Sequence, residues 1–430
     1  MPEKTTKPLS HLLALISDRT GGKKDSSRPY VGLEHIPSAG SSLLTVGNAI
    51  DSISTNGLFA AGDILFGKLR PRLRKSIRAK VSGYCSTDIL VLRPTGNVDP
   101  AFAGFVSQSD AVFLAAIRTE EGTKMPRCSW RDLKAVDVFC PFEKTAQLKI
   151  AAILTSIDTA IEKTETLIAK YQQIKAGLMH DLFTRGVLPN GQLRPPREQA
   201  PELYQETAIG WLPKGWAIVR MIGLAEDRKG STTIGPFGSD LVATDYRLEG
   251  VPIVFVRDVK ESGFQWNSDT YVSPQKARQL AAHRVASGEV LATKMGLPPC
   301  VSCLYPDWMP AGVITADMIR LSPDQKNVNG YWLTTAINHD SVKRQIAGIT
   351  AGVTRPKVTL SDFRNIRIAK PTKEEQERIS SRLQAAQEVI GAELIRVGKL
   401  QAQKLGLMQD LLTGKVQVKV HEPTPELLHA

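Results

Sequence analysis

An α+β fold is predicted: two strand-rich domains separated by a pair of long antiparallel helices, with an internal pseudo-two-fold repeat. Three observations lead there. The phrase GLMHDLFTRGV (177–187) returns as GLMQDLLTGKV (406–416), with seven of eleven letters identical at an offset of 229, so the chain is duplicated. Upstream of each phrase, apolar residues step by alternating four and three, the mark of a heptad seam. Upstream of each seam, β-rich runs such as DILVLRP, PIVFVRDV and DMIRLSP lie between Gly, Pro, Asn and Ser.

The duplication reaches further back. Gln147 meets Gln376, Lys149 meets Arg378 and Ile150 meets Ile379 at the same offset. After a one-residue slip GTKMPRCSWRDLKAVDVFCP (122–141) parallels GVTRPKVTLSDFRNIRIAKP (352–371), and GDILFGK (62–68) parallels GEVLATK (288–294). In order, this gives a strand-rich domain over 1–142, a central helix over 143–190, a proline-rich linker over 191–209, a second domain over 210–371, a C-terminal helix over 372–418 and a tail over 419–430.

The seam runs through Ile150, Leu154, Ile157, Ile161, Ile168, Tyr171, Leu178 and Leu182 on the first helix. On the second it runs through Ile379, Leu383, Ile390, Val397, Leu400, Leu407 and Leu411. A helix of about 40 residues is about 60 Å long, which outreaches a domain of ~150 residues with a radius of gyration of ~15 Å. Its narrow apolar stripe is therefore expected to face the other helix, antiparallel. Two similar domains joined this way are expected to act as a caliper, since paired readers of DNA need half-sites ~34 Å apart to face one side.

Bulk properties narrow the function. A chain of 430 residues exceeds one ordinary core, and 42% hydrophobic with 23% charged residues is globular. No window of eighteen residues lacks a charge, which argues against a membrane span. The segment MPEKTTKPLSHLLALISDRT has only a five-residue apolar run and no small-residue cleavage site, so a cytoplasmic location is expected. Five scattered cysteines do not make a disulfide framework. The formal charge of +12 favours a polyanion, and the cations do not collect on one amphipathic helix, so nucleic acid is preferred over a membrane surface.

The strongest basic segment is KLRPRLRKSIRAK (68–80), seven cations without an acid. Read as an extended stretch, its alternation sets Arg70, Arg72 and Arg74 on one side, flanked by Lys68 and Lys75, where guanidiniums suit phosphate forks and guanine edges. Lys124 and Arg127 in the first half align with Thr354 and Lys357 in the second, beside Arg355, each after a Gly-containing loop. Arg257, Lys294, Lys343 and Arg344 complete the expected DNA-binding set. TTIGPFGSDL (232–241) is expected to form a tight turn whose amides could approach a phosphate.

Catalytic motifs are missing from the sequence. Cys300 and Cys303 form one CxxC with no second pair and no suitably spaced His pair, so no metal is expected. Asp307, Asp324 and Lys326 fit a loose nuclease pattern, but SPDQKNVNG is turn chemistry. There is no GxxxxGK[ST] loop and no GxGxxG after a strand. Neither RPPR (194–197) nor LPPC (297–300) has the flanks with which amino-methyltransferases hold a flipped base.

With these residues in place the chain resembles the specificity subunits of Type I restriction-modification systems. The likeness rests on GDILFGKLRPRLRK, YCSTDILVLRP and GTKMPRCSWRDL in the first half. In the second half it rests on GPFGSDLVATDYRLEGVPIVFVRDV, IGWLPKGW at the entry, and the two helix phrases. The resemblance implies two target-recognition domains, each reading half of a split asymmetric double-stranded DNA site, with paired helices that set the spacer and dock two modification subunits. Those partners supply S-adenosylmethionine-dependent adenine methylation, and restriction subunits add ATP- and Mg-dependent translocation and cleavage. The chain itself is then non-catalytic and carries no cofactor. One departure is that LPKGW (212–216) opens the second half while the first opens with KPLSHLLALI, an abbreviated entry. A stand-alone two-domain DNA-binding regulator and a metal-dependent nuclease are the readings this one competes with.

Overall fold

Runs of apolar residues too short for a helix pair edge to edge. The computed structural model describes residues 5–20, 25–38, 40, 42–48, 55–96, 98–352 and 356–419. Contacts divide the chain into two compact units, Met1–Ile168 with Ala392–Ala430, and Ala169–Gly391.

In the first unit an antiparallel sheet runs in the order Leu13–Ile16, Ile89–Pro94, Ile64–Gly67, Ser76–Arg78. All four residues of Ile64–Gly67 are buried, which is why ILFG reads as a continuous apolar run rather than an alternating one. A second sheet contains the parallel pair Pro29–Val31 and Gly83–Cys85. The second unit repeats the plan. Its four-stranded sheet runs Thr232–Ile234, Met318–Leu321, Val290–Thr293, Ser302–Leu304, and its other sheet holds the parallel pair Val251–Val254 and Gly312–Ile314. A hairpin of Tyr204–Thr207 with Gly210–Pro213 is added at the entry.

The long helices are Lys144–Thr184 (41 residues) and Lys373–Leu411 (39 residues). Each ends shortly before a glycine in the left-handed region, Gly186 at φ 66° and Gly414 at φ 67°, a conformation that stops a helix and that L side chains resist. Every predicted seam residue is buried or half-buried. In the first unit Ile150 and Leu154 share a core with Leu411 and Leu412, and Asp158 meets Lys404. In the second, Leu182 and Phe183 share a core with Ile379 and Leu383, and Lys175 donates to Gln387 at 2.5 Å. Within each unit the partner's number falls as the helix number rises, so the segments run antiparallel.

The two cores explain the repeated phrase. Leu182, Phe183 and Val187 pack into the core of the second unit against Trp216 and Phe363, while Leu411 and Leu412 pack into the core of the first against Leu133 and Val138. Each phrase is the end of one strand-rich segment's helix, inserted into the core of the other segment. The matched glutamines act at the opposite end. Gln147 accepts from the Asp99 backbone N–H (2.9 Å) and donates to the Pro141 carbonyl (2.9 Å). Gln376 accepts from the Asn329 N–H (2.8 Å) and donates to the Pro371 carbonyl (3.0 Å). Asp99 and Asn329 in turn cap the helices Pro100–Ser107 and Gly330–Ile337. Among the described residues no single helix is long and apolar enough to cross a membrane.

Candidate nucleic-acid interface

The basic segment of the first unit is the connection between the paired strands Ile64–Gly67 and Ser76–Arg78. It is not extended. Pro71–Leu73 forms a 3-10 turn bounded by Arg70 and Arg74, both left-handed at φ 51°. Proline fixes the first turn position, and the Arg70 N–H is held by the Pro126 carbonyl at 2.7 Å. The expected row of three arginines is thereby corrected. Arg72 pairs with Glu120 at 2.8 Å, and Arg74 pairs with Asp110 at 2.5 Å while lying 5.1 Å over the Phe113 ring. Lys75 donates to the Leu33 carbonyl at 2.6 Å. Arg70 is exposed and has no ion pair among the described residues.

The structure brings two motifs that are distant in sequence side by side. Lys68 accepts at its carbonyl from the Cys128 N–H (3.0 Å), its own N–H donates to the Asp88 carbonyl (3.0 Å), and Arg127 and Glu121 exchange both backbone bonds at 2.9 Å. Arg127 also reaches the Asp88 carboxylate at 2.9 Å, while Lys124 is exposed nearby in the chain.

The second unit repeats this brace bond for bond. Lys294 accepts from the Val358 N–H (3.0 Å) and donates to the Asp317 carbonyl (2.7 Å). Gly296 donates to the Pro356 carbonyl (3.2 Å), and Lys357 and Ala351 exchange both bonds at 3.0 Å. Lys294 is half-buried and Lys357 exposed. Arg355 lies outside the described residues.

The other predicted cations scatter. Lys343 is tied to Glu261 at 2.7 Å, and Arg344 is exposed on the helix Asp340–Ile349. They line a cleft of about 650 Å³ with His339, whose imidazole burial pushes down to about 4. Arg257 is exposed and lies 4.3 Å over the Phe255 ring, on a separate cleft of about 780 Å³ that Met295, Leu297, Pro236 and Asp317 also line. The GPFG segment borders this second cleft. A Cβ on Gly235 would come within 2.0 Å of the Thr315 carbonyl oxygen, so only glycine lets the two backbones pass. Cys300 and Cys303 are buried, and burial pushes both thiols up to about 12. Asp324 turns back on its own loop, accepting from Asn327 at 2.7 Å, which holds its carboxyl below the ordinary range.

Sequence reasoning aligned Gln147 with Gln376 without seeing their task, and it missed Asp88, Asp317 and Leu297. The recurrence of an acid before each strand, STDIL and TADMI, was the available signal.

Comparison with known proteins bears on this doubled frame. The family model described as Type I restriction modification DNA specificity domain matches residues 311–396. A putative Type I restriction enzyme MjaX specificity subunit of Methanocaldococcus jannaschii is 22% identical over 343 residues, covering 77% of this chain and 72% of the relative. The MjaVIII specificity subunit of the same organism is 20% identical, covering 70% and 66%. The chain is similar to Type I restriction-modification specificity subunits. The fold of a specificity subunit is also seen in solved structures. A chain from a Type I restriction-modification assembly matches at TM-score 0.56 and 18% identity over 97% of this chain and 99% of its own length. The S subunit of a Type I system from M. genitalium matches at 0.56 and 13%, over 95% and 96%.

Proposed function

We propose that this chain is a specificity subunit that reads a bipartite, asymmetric site in double-stranded DNA, one half with each unit, and performs no chemistry itself. It docks two modification subunits that methylate adenine, and restriction subunits that translocate and cleave. S-adenosylmethionine, ATP and Mg belong to those partners. Lys68, Arg70, Lys124 and Arg127 in the first unit, and Arg257, Lys294 and Lys357 in the second, face the duplex. The long helix pair sets the spacer between the half-sites.

One observation carries the reading. The same hairpin and the same braced strand recur in both halves, while the side chains they present differ. Reading two unlike half-sites calls for that combination, because a common frame docks on common backbone geometry and different side chains meet different base edges. The relatives' names support the reading in kind.

Methylome sequencing of cells with and without this chain tests it. A split methylated adenine motif that disappears with the chain is expected. An unchanged methylome together with tight sequence-specific binding by the chain alone would instead make it a stand-alone regulator. Removing one heptad from both helices should change the spacer of that motif, and an unchanged spacer would remove the ruler role.

A further inference from the structure

The hairpin connections of the two units can be matched residue by residue through their strand registers. Phe66 pairs with Ser76 in one and Ala292 with Ser302 in the other, so both connections have the same length. Inside them the Gly67 N–H donates to the Lys75 carbonyl (2.8 Å) and the Thr293 N–H to the Val301 carbonyl (2.9 Å). A left-handed residue closes both connections at the same place, Arg74 and Cys300. In this frame Arg70, Arg72, Arg74 and Lys75 correspond to Gly296, Pro298, Cys300 and Val301. The second connection has lost all four cations.

What it presents is Leu297, which is 86% exposed at the mouth of the 780 Å³ cleft, in the place of the buried Pro71. Lys294 precedes it in the loop, Lys357 is bridged to the adjoining Met295, and Arg257 lies on the same cleft, so the surroundings retain cations for an anionic partner. Beyond Lys294 the loop has no charge with which to hold a phosphate. On a duplex the apolar feature within reach of such a tip is the 5-methyl group of thymine in the major groove.

We propose that Leu297 is a specificity-determining residue of the second unit, making an apolar contact to a thymine methyl in the half-site that this unit reads. The inference rests on the DNA-reading function proposed above. Burial of one methyl group against it corresponds to about a 4-fold change in Kd.

The test is a uracil scan. Using the full chain purified with its co-expressed partner subunits, Kd is measured on duplexes in which each thymine of the methylated motif is replaced in turn by deoxyuridine, for the wild type and for Leu297→Ala. One replacement should weaken wild-type binding about 4-fold and leave L297A, already weakened to that level on the normal duplex, without further loss. The slope of log Kd against log salt should be the same for both proteins, since no phosphate contact is removed. Because Leu297 is exposed, the substitution leaves the core intact. An L297A profile that tracks the wild type at every thymine, a wild type indifferent to every uracil, or a half-site without thymine would each overturn the inference. Absence of any specific binding would instead overturn the proposed function, so the two failures are told apart.

Discussion

In the first unit the helix pair is tied across its seam by an ion pair, Lys404 to Asp158 at 2.7 Å, with both side chains largely buried. In the second, at the positions related by the repeat, Lys175 meets the neutral amide of Gln387 at 2.5 Å. Burial pulls the Lys175 ammonium below its ordinary range and lifts the Asp158 carboxyl above its own, even with Lys404 beside it. The second unit puts its buried charge elsewhere. Glu375 accepts from Arg194 at 2.5 and 3.1 Å, from the Trp216 indole at 3.1 Å and from the Val187 N–H at 2.8 Å, whereas its counterpart in the first half is Ala146. Duplication has kept the neutral glutamine clamp in both units and has placed buried charged ties at different positions in each. The clamp is a feature of the frame, and the ions are features of each copy.

The largest break in this comparison should come from Glu375→Ala. It leaves Arg194, the Trp216 N–H and the Val187 N–H buried without their acceptor, a loss of about 3–5 kcal/mol. Urea unfolding of the full chain measures it. A loss below about 1 kcal/mol would place the hold of the 185–216 segment in apolar packing instead.

Next in size is the exchange of seam partners. Asp158→Ala strands the Lys404 charge and should cost about 3 kcal/mol. Gln387→Ala, which removes one hydrogen bond to an ammonium, should cost about 2 kcal/mol. The sign of a pH effect follows from Lys175. Its folded pKa lies below the unfolded value, so the folded chain releases that proton first and stability rises as pH climbs from the lowered value toward the ordinary lysine range. Lys175→Met should flatten that rise in unfolding midpoints collected between neutral and alkaline pH. A rise of undiminished slope in the variant would assign it to other groups.

The two glutamines should be equivalent. Gln147→Ala uncovers the Asp99 N–H and the Pro141 carbonyl, and Gln376→Ala the Asn329 N–H and the Asn327 and Pro371 carbonyls, about 1–3 kcal/mol apiece. Unequal losses would mean that the two clamps are not the same device, and chemical denaturation of the two variants decides.

What could be read from the sequence follows from the range of each interaction. The seam was legible because a heptad repeat is local, and residues such as Leu154, Leu383 and Ile390 are buried where the period puts them. The buried strands were legible as apolar runs between turn residues. The Arg70–Arg74 turn was not, because its left-handed ends depend on a backbone bond to Pro126, which no local pattern announces. Nor were Asp158 and Lys404, since a charge on a helix reads as solvated until its antiparallel partner, far along the chain, is placed beside it. Leu297 was hidden for a third reason. A lone leucine between glycine and prolines has no period, and its meaning appears only when its loop is matched by register with the cationic one.

The smallest effect expected is also the one that separates the arginines of that cationic loop. Arg72 and Arg74 already have carboxylates, Glu120 and Asp110, and a guanidinium bound to DNA from such a pair must first leave its acid or share it. Arg70 has no such competitor among the described residues and its backbone is fixed against Pro126. In titrations of the motif duplex at several salt concentrations, Arg70→Ala should lower the salt slope by ~0.9, one phosphate contact. Arg74→Ala should leave the slope nearly unchanged and act on stability through Asp110 and Phe113. Equal slope changes for the two variants would mean that Arg74 abandons Asp110 for the duplex, and the cationic loop would then act as one cluster instead of presenting a single free guanidinium.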